Sequence, residues 1–157
     1  MSTYVAGRIR PIVLGVAAGC AAIALFNASG AAAAATGPAG LAFYNPPNSL
    51  PAGHGSLIWA RPASGLVPLA KAASTKLLLY TSDTPGGKNV AVSGSLSVPK
   101  GKAPKGGWPV ISYAHGTTGT ADACAPSRNR EGDPATGYIS YVYPQLNDWL
   151  KAGYAVV

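Results

Sequence analysis

Apolar and polar positions alternate most cleanly over residues 89–98, where Val90, Val92, Leu96 and Val98, with Gly94 among them, fall on one side of a period of two. Residues 76–82 carry Leu77, Leu78, Leu79 and Tyr80 in one apolar run. Between the two, Asp83-Thr-Pro-Gly-Gly-Lys88 offers a proline and two glycines for a reversing loop, so the pattern predicts an antiparallel hairpin. Residues 110–114 are short, apolar and uncharged, as an interior strand would be. Residues 144–152 follow a helical period: Pro144 takes a first-turn position, Leu146, Trp149 and Leu150 share a stripe, and Gly153 supplies the stop. Ile139 and Val142 could extend that stripe one turn upstream. Tyr154-Ala-Val-Val157 then reads as a buried strand. A shorter strand is expected at residues 56–59, ending before Pro62. Strand, helix, strand after a hairpin implies a parallel crossover joined to an antiparallel pair, an α/β mixed sheet.

The first part of the chain follows other rules. Residues 1–36 read as an export signal, with Arg8 and Arg10 in front, an apolar run from Ile12 to Phe26, and small-residue cleavage sites in the alanines at 31–35. The competing reading is a membrane-spanning helix, but the run falls short of the ~20 residues a bilayer core requires. Cys20 is a poor lipoprotein site, since the apolar run continues past it. Residues 37–55 are rich in proline and glycine and lack apolar periodicity, which suits a linker or a leader lying across the surface of a domain at 56–157. The expected location is outside the cell, free or associated with the envelope.

Charge narrows the partners. The chain carries a formal +7; without Arg8 and Arg10, ten basic residues face five acidic ones. These charges are scattered along the sequence, with Lys100, Lys102 and Lys105 in a Gly/Pro loop. Nucleic-acid binding, which calls for a concentrated patch, is therefore not expected. Transient attraction to an anionic lipid surface is compatible with the excess. One cysteine besides Cys20, namely Cys124, and two histidines distant in sequence, His54 and His115, cannot make a plausible zinc site, and no cofactor loop is present. His54 has no motif around it and reads as a surface histidine.

Candidate chemistry lies after the 110–114 strand, in His115-Gly-Thr-Thr-Gly119. Acyl transfer places negative charge on a carbonyl oxygen, and losing one preorganised N–H donor to it typically costs about 3–4 kcal/mol. A turn with glycine at both ends, Gly116 and Gly119, can aim backbone amides at one point. Thr117 or Thr118 would give its N–H, a threonine hydroxyl could add a donor, and His115 would brace the loop through a ring N–H. An ordinary strand-to-loop turn is the alternative. No Gly-x-Ser-x-Gly occurs, and Asp83, Asp122, Asp133 and Asp148 are expected in loops or on the helix surface, with no histidine after Asp122, Asp133 or Asp148. The nucleophile, acid and base are therefore assigned to no residue of this chain.

Taken together, Phe43-Tyr-Asn-Pro-Pro47, the strand at 108–114, the glycine turn, Cys124-Ala-Pro-Ser127 and the segment from Pro144 to Val157 resemble the secretory lipases of the α/β-hydrolase superfamily, the group of Candida lipase A and actinobacterial exported lipases. The resemblance implies an incomplete α/β-hydrolase sheet, with the last strand sitting between the hairpin and the 110–114 strand. It also implies a serine hydrolase cleaving carboxylic esters, lipids or small esters, through an acyl-enzyme. The oxyanion donor would be Thr117 or Thr118, and Cys124 would pair with a cysteine outside this sequence. A same-fold exported peptidase or acyltransferase, or a non-catalytic secreted binding protein, is the rival. On the resemblance, the 157 residues alone would fold poorly and lack activity.

Overall fold

Short-range turn chemistry sets the first pairing. Thr84 N–H donates to the Lys88 carbonyl at 2.9 Å, Lys88 N–H to Thr84 Oγ1 at 3.1 Å, and Gly87 takes φ +75°. The computed structural model describes residues 34–157, which belong to one compact unit; the export-signal reading falls, for residues 1–33, outside the described residues. Five strands, β1 (Leu57–Pro62), β2 (Ala72–Asp83), β3 (Asn89–Pro99), β4 (Val110–Ile111) and β5 (Ala155–Val156), form one mixed sheet in the order β1-β2-β3-β5-β4. Two helices, α1 (Thr136–Ser140) and α2 (Tyr143–Lys151), precede β5. Only the β4–β5 pair is parallel. No helix among the described residues is long and apolar enough to cross a membrane.

The hairpin is longer than the apolar runs that announced it, because Ser74 and Thr75 pair with Val98 and Ser97 beyond the leucines. β1 runs on through Pro62, opposite Lys76. It is an edge strand, where a proline can face outward without costing a ladder bond. The strand expected over 110–114 is paired only at Val110 and Ile111, with one further rung from Tyr113 N–H to the Val157 carbonyl at 2.7 Å. β5 is its one neighbour among the described residues, so Val110 is 61% exposed rather than interior. The helical stripe is also broken: Ile139 belongs to α1, and α2 begins separately at Tyr143 with Pro144 in its first turn. At its end Gly153, at φ +90°, donates to the Leu150 carbonyl and Tyr154 to that of Trp149. These are the paired bonds that stop a helix on glycine, and they turn the chain straight into β5.

The sheet's two faces differ from the pattern's promise. Register places Leu77 opposite Ser95 and Leu79 opposite Ser93, so these four share a face with Thr75, Thr81, Ala91 and Ser97. Both core clusters cover the sheet there: Phe43 on Leu77 and Leu79, and Leu146 and Leu150 on Val156, which opposes Ser97; Ser127 meets Ser93 on the same face. The alternating Val90, Val92, Leu96 and Val98, with Leu78 and Tyr80, lie on the other face. They are only half-buried, and belong to neither core cluster. An apolar period of two identifies a face of a strand; it does not say which face the neighbouring elements cover.

The segment expected as a linker or a leader lying across the surface places one residue, Phe43, in the core. Phe43 is fully buried against Leu77, Leu79 and Trp59 within a short helical turn, Gly40–Tyr44. The Trp59 indole N–H donates to the Phe43 carbonyl at 3.0 Å, and the Arg61 guanidinium lies 4.5 Å over the Phe43 ring. Gly37, at φ +70°, passes so close to Trp59 that a Cβ there would fall 2.6 Å from the indole.

Replacing Leu79 by alanine is expected to destabilise the protein by about 2–5 kcal/mol in denaturant unfolding, as large-to-small changes in packed sites do. Leu78→Ala, on the half-buried face next door, should cost clearly less; equal losses would refute the assignment of faces.

Candidate functional site

The sheet ends at Tyr113, and the chain leaves it at the carboxyl end of β4, the end of a parallel strand where ligand sites of open α/β sheets gather. There the turn predicted from sequence begins. His115 Nδ1 lies 2.6 Å from the Gly116 carbonyl; a carbonyl only accepts, so that nitrogen carries the proton and braces the turn's first peptide. Thr118 Oγ1 donates to the Cys124 carbonyl at 2.8 Å. Its hydroxyl proton is thereby committed, and of the two threonines Thr117 keeps an unengaged hydroxyl among the described residues.

The glycines also divide their roles differently from the expectation. Gly119 needs to be glycine twice over: its φ is +126°, and a Cβ would fall 2.5 Å from the Cys124 sulfur. Gly116 does not use the left-handed region, and a Cβ there would lie 3.4 Å from the Tyr141 hydroxyl. Among the described residues, the amides of Gly116, Thr117 and Thr118 donate to no acceptor. Buried amides are nearly always paired, so a run of unpaired ones belongs at a surface open to water or ligand, and Thr117 is indeed exposed.

Beside this turn lies a cleft of about 820 Å³, bounded by Ser93 and Ser97 of β3, Tyr113, Thr118, Leu146 and Val156. His115 and Gly119 also border it; Thr117 does not. Tyr113 packs edge-on against Trp149, with ring centroids 5.7 Å apart. Partial withdrawal from water, then the neighbouring Tyr141 hydroxyl, hold the Tyr113 phenol above its ordinary pKa. Cys124, half-buried and without a disulfide partner among the described residues, turns its sulfur towards Gly119.

The loop beyond the turn is tied down by partners that spacing in the sequence does not disclose. Ser127 Oγ is 2.8 Å from Ser93 Oγ, and its carbonyl accepts from the Tyr44 hydroxyl at 2.6 Å. Burial raises the Tyr44 phenol, against the opposing pull of Arg128, Arg130 and Arg61; Arg128 stacks 4.2 Å over the Tyr44 ring. Asn129 is fully buried, and its amide donates to Ser140 Oγ at 3.0 Å and to the Tyr143 hydroxyl at 2.8 Å. Neither Asn129 nor Tyr141 stood out in the sequence, since their partners are identified by proximity in the fold and not by motif.

The remaining candidates do not converge on the turn. His54 pairs with Asp83 at 3.1 Å, both on the surface, and Asp83 ends β2, three places along the sheet from β4. This places Asp83 at a strand end, where a loop position was expected. Asp122 pairs with Arg128 at 3.3 Å and is largely solvated. Among the described residues no three of His, Cys, Asp and Glu gather as metal ligands would. Around the turn, unpaired backbone amides, the Cys124 thiol and the His115 ring come together, and Asp122 borders the same cleft.

No protein-family model matches the chain, and no curated protein matches it in sequence. In structure it is similar to Candida antarctica lipase A in its closed state, with a TM-score of 0.55 and 23% identity over 66% of this chain. The match takes in 25% of that lipase, so the chain spans about a quarter of the length of its structural relative. At this level the likeness concerns the fold, and the fold is lipase-like.

Proposed function

We propose that this chain supplies the oxyanion-binding part of an exported carboxylic-ester hydrolase that works through a serine acyl-enzyme. The observation that carries the reading is the set of unpaired amides at Gly116, Thr117 and Thr118, at the carboxyl end of β4 beside a cleft. The likeness in fold to a lipase supports it. So does the half-buried apolar face bearing Val92 and Leu96, which suits packing against further secondary structure of a larger hydrolase.

In this reading the Thr118 amide, on the residue that borders the cleft, stabilises the negative charge that develops on the substrate carbonyl oxygen. The bond from Thr118 Oγ1 to the Cys124 carbonyl fixes the orientation of the peptide, and Gly119 lets the chain pass under the cysteine sulfur. Preorganisation of this kind is effective because the dipole does not have to reorient during the reaction. The serine, acid and histidine are contributed from outside the 157 residues. The leucine and valine walls of the cleft favour an acyl chain, hence a lipid or a small ester, as substrate.

The test is ester hydrolysis by the complete gene product, assayed on p-nitrophenyl esters. Thr118→Pro removes the amide hydrogen and is expected to lower kcat by about 10²–10³-fold, as loss of one oxyanion donor does. Thr118→Ala keeps the amide and should lose far less. A complete product that neither turns over esters nor reacts with a fluorophosphonate would sink the proposal. Separately, Gly119→Val should weaken both activity and thermal stability, because it forces a β-branched residue into φ +126° against Cys124.

A further inference from the structure

The lysines that are scattered in the sequence are gathered in space. Pairing of Ala72 with Pro99 brings Lys71 and Lys100 to the same end of the hairpin, and Lys100 Nζ donates to the Ala70 carbonyl at 3.0 Å. Lys71 N–H is held by Asn147 Oδ1 of α2 at 2.8 Å, one turn before Lys151. The loop from Lys100 to Gly107 adds Lys102 and Lys105 and returns to Pro109, whose carbonyl accepts from Ala155 at the start of β5. Five of the seven lysines thus crowd one end of the sheet, and all five are exposed.

Their charge is not consumed within the fold. The three described arginines are engaged: Arg61 on the Gly40 carbonyl, Arg128 on Asp122 and Arg130 on the Gly65 carbonyl. The side chains of Lys71, Lys102, Lys105 and Lys151 meet no acceptor among the described residues. One acid, Asp148, shares this end, one turn before Lys151; Asp83 and Asp122 follow the opposite ends of β2 and β4. Apolar and aromatic side chains are interleaved with the lysines. Val110 is 61% and Tyr154 40% exposed, Pro104 stands in the loop, and Trp108 lies half-buried over Gly153.

We propose that this end of the sheet docks on the surface of an anionic phospholipid bilayer. Lysine is a strongly hydrated point charge on a flexible stem, suited to diffuse attraction towards many headgroups and not to forked recognition of a single anion. Tyrosine and tryptophan favour the water–lipid boundary, where one end is apolar and the other wet. The geometry has a consequence. β4 starts at the docking end and the His115 turn follows its other end, five residues of extended chain or roughly 17 Å away. A docked molecule holds the turn away from the bilayer. The surface serves retention at an envelope, and does not rest on the turn being catalytic.

The experiment is co-sedimentation of the full chain with vesicles of phosphatidylcholine containing phosphatidylglycerol, against pure phosphatidylcholine, at low and high salt. Arg8 and Arg10 also favour anionic lipid, so the reading lies in differences between variants. Joint replacement Lys100→Glu, Lys102→Glu and Lys105→Glu should reduce binding to anionic vesicles by about tenfold or more at low salt, since each basic residue near the surface adds its own attraction. The corresponding Lys→Gln set should give a smaller loss, and salt should erase the difference. Lys88→Glu, at the far end of the hairpin, should change little. Equal effects of Lys88→Glu per charge would show that net charge alone governs binding, and would overturn the proposal. So would unchanged binding in the triple variant. Retention of the loop's effect on soluble polyphosphate but not on vesicles would assign the patch to a soluble polyanion instead.

Discussion

Val156 holds the two halves of the sheet together. On one side it opposes Ser97 of β3, in an antiparallel pair; on the other it opposes Ile111 of β4, in a parallel one. Its side chain meanwhile packs under Leu146 and Leu150 of α2. A single residue therefore fixes the distance between hairpin and β4, the height of the helix, and the direction in which β4 delivers the His115 turn. The β4–β5 ladder is short: two Cα pairs, flanked by bonds from Ala155 to Pro109, Val157 to Ile111 and Tyr113 to Val157. At about 1 kcal/mol net apiece, they hold β4 less firmly than the eleven-residue register that joins β2 to β3. The turn is consequently placed by the least secured part of the sheet, and the glycine stop at Gly153, which aims β5, matters more than its position outside any strand suggests.

Sequence reasoning read the elements better than their surroundings. Local signals located the hairpin, the helix behind Pro144, its glycine stop and the strand at the end, because each is decided by neighbours a few residues away. The same signals could not tell that Phe43 is a core residue. Its partners Leu77 and Leu79 are more than thirty positions later, and nothing periodic surrounds it in a segment of proline and glycine. They could not tell that Val110 is exposed either, since an uncharged apolar pentapeptide looks interior whether it has one sheet neighbour or two. For the turn, the sequence showed a glycine at each end but not which of them the backbone needs. The division of labour came only with the fold: Gly119 against the Cys124 sulfur, the Thr118 hydroxyl spent on the Cys124 carbonyl, and Thr117 exposed and not lining the cleft.

Why β3 turns its serines and not its valines towards the covered side follows from what has to fit there. Ser93, Ser95 and Ser97 are small, and they leave room between the sheet and the loop that runs from the His115 turn to Asn129. Buried hydroxyls are costly unless paired, and the pairs are present: Ser93 with Ser127 at 2.8 Å, and Ser97 with Thr75 at 2.9 Å. Had the valines faced this side, Ser127 would have lost its partner and the cleft much of its volume. The loop's anchor and the cleft beside Thr118 thus have the same origin, a strand that gives up hydrophobic contact on one face to make space. The larger apolar residues go to the opposite face, where Leu78, Val92, Leu96 and Val98 are half-buried and belong to neither core cluster. The arrangement suits a sheet whose covered side is shaped for a site and whose other side is shaped for packing.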